Sequence, residues 1–147
     1  MEFVKKLCEL TGKKYVLPTE AQWEYAARGG EKSKGYLYSG SDNLDDVAWY
    51  YDTSDDLTHV VGTKLPNELG IYDMSGNVME WCEDWYGSYS KSSQKDPHGP
   101  ESGTARVRRG GCFEDFDYDL HVSYRGGTEP NGHPYFMGFR VALIPED

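Results

Sequence analysis

The stretch GIYDMSGNVMEW (residues 70–81) places a sharp turn between two acidic side chains. Gly76 and Asn77 both tolerate the left-handed backbone conformation that such a turn requires. Asp73 and Glu80 flank the turn, and calcium prefers carboxylate oxygens combined with backbone carbonyls. The stretch therefore predicts either a calcium-binding turn or a metal-free turn in which Asp73 and Glu80 accept hydrogen bonds from backbone N–H groups.

Four segments of the chain, taken in order, carry a family resemblance. They are LPTEAQWEYAARGG (residues 17–30), PNELGIYDMSGNVMEWCEDWY (66–86), RVRRGG (106–111) and GFRVAL (138–143). One such segment would be a weak signal, whereas four in the family order are a strong one. The chain resembles the formylglycine-generating enzymes, also called sulfatase-modifying factors. It is most similar to non-catalytic members, such as the variable proteins of diversity-generating retroelements.

The resemblance implies an α+β fold, an irregular variant of the C-type lectin fold with a small antiparallel sheet, two helices and long loops. The length of 147 residues suits one domain, residues 1–147. The family domain normally has strands before its first helix, and this sequence does not contain them. We therefore expect either a natural short form or an excerpt of a longer protein.

Two helices are predicted near the start of the chain. The apolar spacing in residues 2–10 indicates an amphipathic helix that ends at Gly12. A second helix begins at Thr19, which forms a capping box with Gln22. Its expected buried face is Trp23, Ala26 and Ala27, and two glycines end it at residues 29–30.

Short strands are predicted in the remainder of the chain. Residues 60–61 favour a short strand, and residues 106–111 and 138–143 alternate enough to form strands of one sheet. Residues 120–123 keep a strand pattern similar to that of the family. The serine- and lysine-rich residues 87–103 are expected to form a solvent-exposed loop.

The charge and hydropathy of the chain exclude several classes of function. The formal net charge is −10 and the pI is about 4.8, so the surface repels nucleic-acid phosphates. No apolar run is long enough to span a membrane, and residues 1–10 lack the apolar core of a signal peptide. We expect a cytoplasmic protein or a fragment of an exported one. The acidic excess favours cation binding or serves solubility.

The resemblance also implies calcium sites. The first would use the side chains of Asp73 and Glu80 and the carbonyls of Gly76 and Val78, in a structural role. The second would use the Asn43 side chain and the Leu44 carbonyl, for which an ordinary turn stabilised by Asp42 or Asn43 is the alternative. These candidate ligands are Asp73, Gly76, Val78, Glu80, Asn43 and Leu44.

The catalytic members use two cysteines that bind copper, and the matching positions here are Asp115 and Leu120. Cu(I) prefers soft thiolate ligands, so copper binding and formylglycine generation are not expected. Cys112 is a weak candidate for a catalytic thiol, since a lone cysteine is more often a small buried apolar residue. The cysteines include no CxxC pair, so a structural zinc site is not expected.

The region between RVRRGG and GFRVAL is rich in aromatic and small polar residues, a composition typical of recognition surfaces. The candidate ligand-binding residues are Asp115, Phe116, Asp117, Tyr118, Tyr124, His133, Tyr135 and Phe136. Such a set also matches the residue types that diversified codons produce in variable proteins. The alternative is ordinary aromatic packing beneath loops.

These observations favour a non-catalytic ligand-binding module whose partner is a protein or another surface ligand. The alternative function is an oxidoreductase, either of the formylglycine-generating type or as an accessory domain of a non-haem iron enzyme. The four histidines show no spacing typical of an iron site. An enzymatic role is therefore uncertain, and a non-enzymatic one is preferred.

Overall fold

The computed structural model describes residues 2–132 and 134–145. Its helices are α1 (Glu2–Thr11), α2 (Glu20–Ala27) and α3 (Leu44–Val47), with 3₁₀ turns at Gly30–Lys32 and Asp117–Leu120. Its strands are β1 (Tyr15–Val16), β2 (Met79–Trp85), β3 (Arg106–Arg109), β4 (Arg125–Thr128), β5 (Met137–Gly138) and β6 (Ala142–Leu143). No helix among these residues combines the length and apolar character needed to cross a bilayer.

The strands form two small sheets. The larger has the order β4-β3-β2-β5, in which β2, β3 and β4 are antiparallel neighbours and β5 runs parallel to β2. The smaller pairs β1 with β6, setting Tyr15 opposite Leu143. The predicted α+β fold with a small sheet is confirmed. The comparison with C-type lectins stays a prediction.

Helix α2 matches the sequence prediction closely. The Gln22 N–H donates to Thr19 Oγ1 at 3.2 Å, and the Thr19 N–H donates to Gln22 Oε1 at 2.9 Å, which completes the capping box. Trp23 and Ala27 are fully buried. Helix α1 differs, because only Val4 of its apolar stripe is buried. The other apolar residues of the stripe are partly or largely exposed, so the helix lies on the surface of the protein.

Three strand predictions are wrong. Residues 60–61 form no strand and lie exposed, since the adjoining Gly62 N–H donates to the carboxylate of Asp73 rather than to another strand. Residues 138–143 contribute to two sheets rather than one, because residues 139–141 lead from β5 to β6. Residues 120–123 follow a 3₁₀ turn, and the strand starts only at Arg125.

The core joins α2 to the larger sheet. One buried cluster comprises Trp23, Ala27, Met74, Cys82, Val107 and Val122. A second comprises Tyr38, Leu44, Val47, Ala48 and Leu120, and a third comprises Met79, Cys112 and Phe113. The second and third clusters lie beneath the loops that carry the candidate site.

Gly76 is expected to be the least replaceable glycine of the turn in residues 70–81. Its φ is +80°, and an added Cβ would overlap the carbonyl oxygen of Trp49 and lie 3.0 Å from Leu120 Cδ2. Gly76→Ala should therefore lower the free energy of unfolding by about 2–4 kcal/mol, measured by urea denaturation. Gly12 is a matched control, since its φ is +68° but nothing lies within 4 Å of its Cβ position. Equal losses in the two variants would contradict the steric explanation.

Candidate ligand-binding surface

Residues 113–118 form the centre of the candidate surface, and their backbone is fixed by buried and local hydrogen bonds. The Phe113 carbonyl accepts from the Ser54 hydroxyl at 2.8 Å, and the Asp115 carbonyl accepts from the Tyr51 N–H at 3.1 Å. The Asp115 carboxylate accepts from the Cys112 N–H at 2.8 Å. Asp115 therefore has a local structural role that the sequence did not indicate.

Two exposed rings lie on this segment, and two more lie beside it. Phe116 is 56% exposed, and its ring lies 4.5 Å from that of Tyr51, which is 49% exposed. Tyr118 and Tyr135 are 67% and 71% exposed. We call the rings of Tyr51, Phe116, Tyr118 and Tyr135 the aromatic surface. Tyr51 is not among the residues predicted from the sequence, because it lies far from the other three in the chain.

The Tyr118 ring packs against two partly buried rings, those of Tyr124 and His121. Its ring meets that of Tyr124 edge to face at 5.8 Å, and His121 lies 5.6 Å away. His121 also contacts Tyr38, at 5.3 Å. Tyr124 thus supports the exposed Tyr118 ring, whereas the composition of the region predicts both residues as ligand contacts.

Tyr135 is attached to the other end of the 113–118 segment. Its hydroxyl bonds both carboxylate oxygens of Glu114 at 2.7 and 2.6 Å, and this hydrogen bond raises the pKa of Tyr135. Its ring lies 6.2 Å from that of Phe113. The neighbouring Phe136 is only partly exposed, because it packs against the core cluster beneath. His133 lies outside the described residues.

Asp117 is exposed at the edge of the same surface. Its Oδ1 accepts from the N–H of Tyr118 at 2.8 Å, and its charge contributes to a raised pKa of Tyr38, whose main cause is burial. The predicted ligand-binding set therefore divides into two groups. Phe116, Asp117, Tyr118 and Tyr135 are exposed, while Asp115, Tyr124 and Phe136 are partly buried.

A buried guanidinium group fixes the loops beside this surface. The Arg109 side chain is 0% exposed and donates to the carbonyls of Val122, Ser123 and Tyr124, as well as to the carboxylate of Glu24. These contacts tie the backbone between the 3₁₀ turn and β4 to helix α2. The sequence carries no local signal for this role, since the partners of Arg109 are 13 to 85 residues away.

Arg125 makes a second, partly buried ion pair with α2. Its Nε and Nη2 donate to the two carboxylate oxygens of Glu20 at 2.6 and 2.7 Å. Its guanidinium lies 4.6 Å from the ring centre of Tyr86 and 4.2 Å from that of Tyr89. Arg125, Glu20 and Tyr89 border a cleft of about 600 Å³ between α2 and the loop of residues 87–100.

Asp115 and Leu120 stand at the positions that match the copper-binding cysteines of the catalytic members, and neither side chain is a soft ligand. Leu120 is 0% exposed and belongs to the core, and Asp115 offers only oxygen. Cys112 is 2% exposed, and burial raises the pKa of its thiol to about 12. A thiol that stays protonated at neutral pH is a poor nucleophile and a poor metal ligand.

Thiol labelling tests this description of Cys112. At pH 8 we expect iodoacetamide to modify Cys8 first and Cys112 about 1000-fold more slowly than a free thiol of pKa 9, because the folded pKa is about 12. Stability should also fall as the pH rises above about 9, since the unfolded chain releases a proton there that the folded chain retains. Mass spectrometry of labelled peptides measures the rates. Rapid labelling of Cys112 in the folded protein would contradict the buried assignment.

The turn of residues 70–81 has the left-handed backbone that its sequence predicts, with φ of +56° at Asp73, +80° at Gly76 and +63° at Asn77. Its carboxylates already have partners, however. Glu80 accepts from Trp23 Nε1 at 2.7 Å and forms a bidentate pair with Arg140 at 2.5 and 2.7 Å.

The arrangement does not fit a calcium ion bound by Glu80, because the Arg140 guanidinium already provides the positive charge. Asp73 also has a partner, accepting from the Gly62 N–H at 2.7 Å. Arg140 further donates to the carbonyls of Tyr72 and Asp73. Calcium binding at this turn stays a prediction, and it requires Arg140 to leave Glu80.

At the second predicted calcium site, the Leu44 carbonyl is already engaged in a local hydrogen bond. Asn43 precedes α3, and its side chain makes no capping bond. The Leu44 carbonyl accepts from the Ala48 N–H at 3.0 Å, and the Leu44 side chain is buried. This site likewise stays a prediction.

A chelation experiment tests calcium dependence. Because Arg140 neutralises Glu80, we expect excess EDTA to change the melting temperature by less than about 1 °C, corresponding to a small fraction of a kcal/mol. Differential scanning fluorimetry with EDTA, calcium or magnesium measures this. A drop of several degrees with EDTA, reversed by calcium and not by magnesium, would contradict this expectation and support the predicted calcium turn.

Comparison with known proteins agrees with the motifs and the fold. The family model described as "Sulfatase-modifying factor enzyme 1-like domain" matches residues 1–144. "Chaperone protein LppX" of Paenibacillus barcinonensis is 40% identical over 86% of this chain and 48% of that protein. A formylglycine-generating enzyme of Streptomyces coelicolor is 37% identical over 86% of this chain and 46% of that protein.

Solved structures give the same relationship. Treponema denticola variable protein 1 superposes with a TM-score of 0.84 at 39% identity, covering 90% of this chain and 49% of that one. PvdO from Pseudomonas aeruginosa gives 0.82 at 29% identity, covering 97% and 57%. The chain spans about half the length of the curated relatives described above. It belongs to the family of sulfatase-modifying factor enzyme 1-like domains.

Proposed function

We propose that the chain is a non-catalytic ligand-binding module that binds a protein through the aromatic surface. The observation that carries this proposal is the exposure of Phe116 and Tyr118 on a segment whose backbone is held by hydrogen bonds, with the exposed Tyr135 bonded to Glu114 of that segment. Large rings on a rigid support provide contact area at little cost in conformational entropy. Core packing does not account for these three rings, because more than half of each ring residue is exposed to solvent.

The similarity to Treponema denticola variable protein 1 supports this proposal. Its name identifies it as a variable protein, and the exposed rings here belong to the region between the motifs RVRRGG and GFRVAL. A role as a retroelement variable protein would explain aromatic and acidic residues at those positions. The genomic neighbourhood tests that origin, because a reverse transcriptase gene and a repeat of the C-terminal coding region should lie nearby.

An oxidoreductase function has one observation in its favour, the 37% identity to a formylglycine-generating enzyme. The site chemistry argues against it. Asp115 and Leu120 occupy the positions of the copper-binding cysteines, and Cys112 is buried with a raised pKa. Oxygen-dependent modification of a cysteine-containing peptide by the protein loaded with Cu(I) would favour the oxidoreductase instead.

A selection experiment with random peptides tests the binding proposal. A phage-displayed peptide library is selected against the immobilised protein and, in parallel, against the F116A/Y118A/Y135A variant. We expect peptide families to be enriched on the wild-type chain and lost on the variant. The variant should keep its melting temperature within about 3 °C, because the three rings are exposed.

A matched variant controls for loss of surface aromatics in general. Phe3, Tyr25 and Tyr72 are also exposed rings, and they lie outside the aromatic surface. The F3A/Y25A/Y72A variant should enrich the same peptides as the wild-type chain. Peptides that bind all three proteins equally, or a triple variant at the aromatic surface that unfolds, would contradict the proposal.

A further inference from the structure

The loops that carry the aromatic surface contain many carboxylates and no basic residue except histidine. Residues 36–63 and 110–124 include no lysine or arginine. Their acidic residues are Asp42, Asp45, Asp46, Asp52, Asp55, Asp56, Glu114, Asp115, Asp117 and Asp119. None of them forms an ion pair with another described residue. Among the described residues, no ion pair therefore neutralises these carboxylates.

Two exposed carboxylates adjoin exposed rings in the sequence, and two more lie on a turn bonded to the same segment. Asp52 follows Tyr51, and Asp117 stands between Phe116 and Tyr118. The Ser54 hydroxyl accepts from the Asp56 N–H at 3.2 Å and donates to the Phe113 carbonyl at 2.8 Å. That pair of bonds fixes the turn carrying Asp55 and Asp56 against the base of the segment. The turn with Asp55 and Asp56 is thus held against the segment that carries Phe116, Asp117 and Tyr118.

Rings beside unpaired carboxylates suit an arginine side chain. A guanidinium pairs with carboxylates in a planar fork and stacks on aromatic faces. The chain makes this arrangement elsewhere, where Arg125 pairs with Glu20 and lies against the rings of Tyr86 and Tyr89. Arg106 likewise lies 3.6 Å from the ring centre of Trp85. At the aromatic surface the rings and carboxylates are present without such an arginine among the described residues.

We infer that the ligand of the aromatic surface is a basic segment of a partner protein, whose arginine side chains lie against Phe116 and Tyr118 and pair with Asp55, Asp56 and Asp117. This inference rests on the proposed function and specifies the chemistry of its partner. Acidic proteins and nucleic acids are repelled by the same carboxylates. Electrostatic attraction should also make the association faster at low ionic strength.

Direct titration with simple probes tests the charge requirement. The probes are capped, fluorescent peptides of alternating glycine with arginine or with glutamate, and binding is followed by anisotropy. We expect the arginine peptide to bind the wild-type chain and the glutamate peptide not to bind. The D55N/D56N/D117N and F116A/Y118A variants should each weaken binding of the arginine peptide by about tenfold or more.

A second triple variant separates a local effect from net charge. E2Q/E9Q/E101Q removes the same number of exposed carboxylates outside the surface, and it should keep the affinity within about twofold. Equal weakening by the two charge variants would overturn the inference. So would spermine binding as tightly as the peptide with the same dependence on Phe116 and Tyr118, since a small polyamine would then suffice.

The library selection distinguishes failure of this inference from failure of the proposed function. Enriched peptides rich in arginine and lysine, lost on the F116A/Y118A/Y135A variant, would support both. Neutral or acidic peptides with the same dependence on the three rings would overturn only the cationic inference. Absence of any peptide that depends on the rings would overturn both.

Discussion

Replacing Arg109 by alanine is expected to lower the free energy of unfolding by about 3–5 kcal/mol. The Arg109 side chain is completely buried, and its guanidinium donates hydrogen bonds to three backbone carbonyls and to the Glu24 carboxylate. Alanine would leave these acceptors without a donor and the carboxylate without its buried counter-ion. Breaking one half of a buried pair is costly for that reason.

Urea denaturation of Arg109→Ala measures this loss, and a melting temperature lower by about 10 °C should accompany it. Arg28→Ala is the matched control, because Arg28 binds the same Glu24 but is 42% exposed. An exposed pair contributes less than about 1 kcal/mol. A loss for Arg109→Ala no larger than that for Arg28→Ala would contradict the role of Arg109 as the buried link between α2 and the loops.

Local patterns predicted the parts of the fold that depend on neighbouring residues. The capping box of α2 follows from Thr19 and Gln22, which are three positions apart and bond each other. The turn at Gly76 and Asn77 follows from residues that tolerate positive φ. The family resemblance supplied the α+β fold, because its motifs lie on the elements that form the larger sheet and α2.

Features that depend on distant residues could not be predicted in this way. Glu80 and Arg140 are 60 residues apart, so the pairing that replaces a simple calcium ligand has no local signature. Residues 138–143 resemble one strand, but their two ends find partners in different sheets. The apolar spacing of helix α1 makes the helix amphipathic, but only Val4 of its apolar residues is buried in the described structure.

The sequence predicted which region forms the candidate surface, but only partly which of its side chains are exposed. Aromatic residues between two family motifs marked the region, but composition does not separate a displayed ring from a supporting one. Tyr118 and Tyr124 differ little in sequence context, whereas contacts leave the first exposed and the second half-buried. Tyr51 joins the surface only through a hydrogen bond and a ring contact with residues about 65 positions later.

Removal of the rings at the aromatic surface is expected to reduce ligand affinity by about 100-fold or more. Buried aromatic anchors at interfaces commonly cost about 2 kcal/mol or more each when truncated, and 1.4 kcal/mol corresponds to tenfold. Because Phe116, Tyr118 and Tyr135 contribute little to the core, this loss should occur without loss of the fold. The effect should appear mainly in the dissociation rate, as is usual for interface variants.

The most direct test of binding by the aromatic surface is a calorimetric titration of one enriched peptide into three proteins of equal thermal stability. These are the wild-type chain, F116A/Y118A/Y135A and the control F3A/Y25A/Y72A. We predict affinity at least about 100-fold weaker for the first variant and unchanged, within about twofold, for the control. Equal affinity for the wild-type chain and F116A/Y118A/Y135A would contradict a ligand-binding role for this surface.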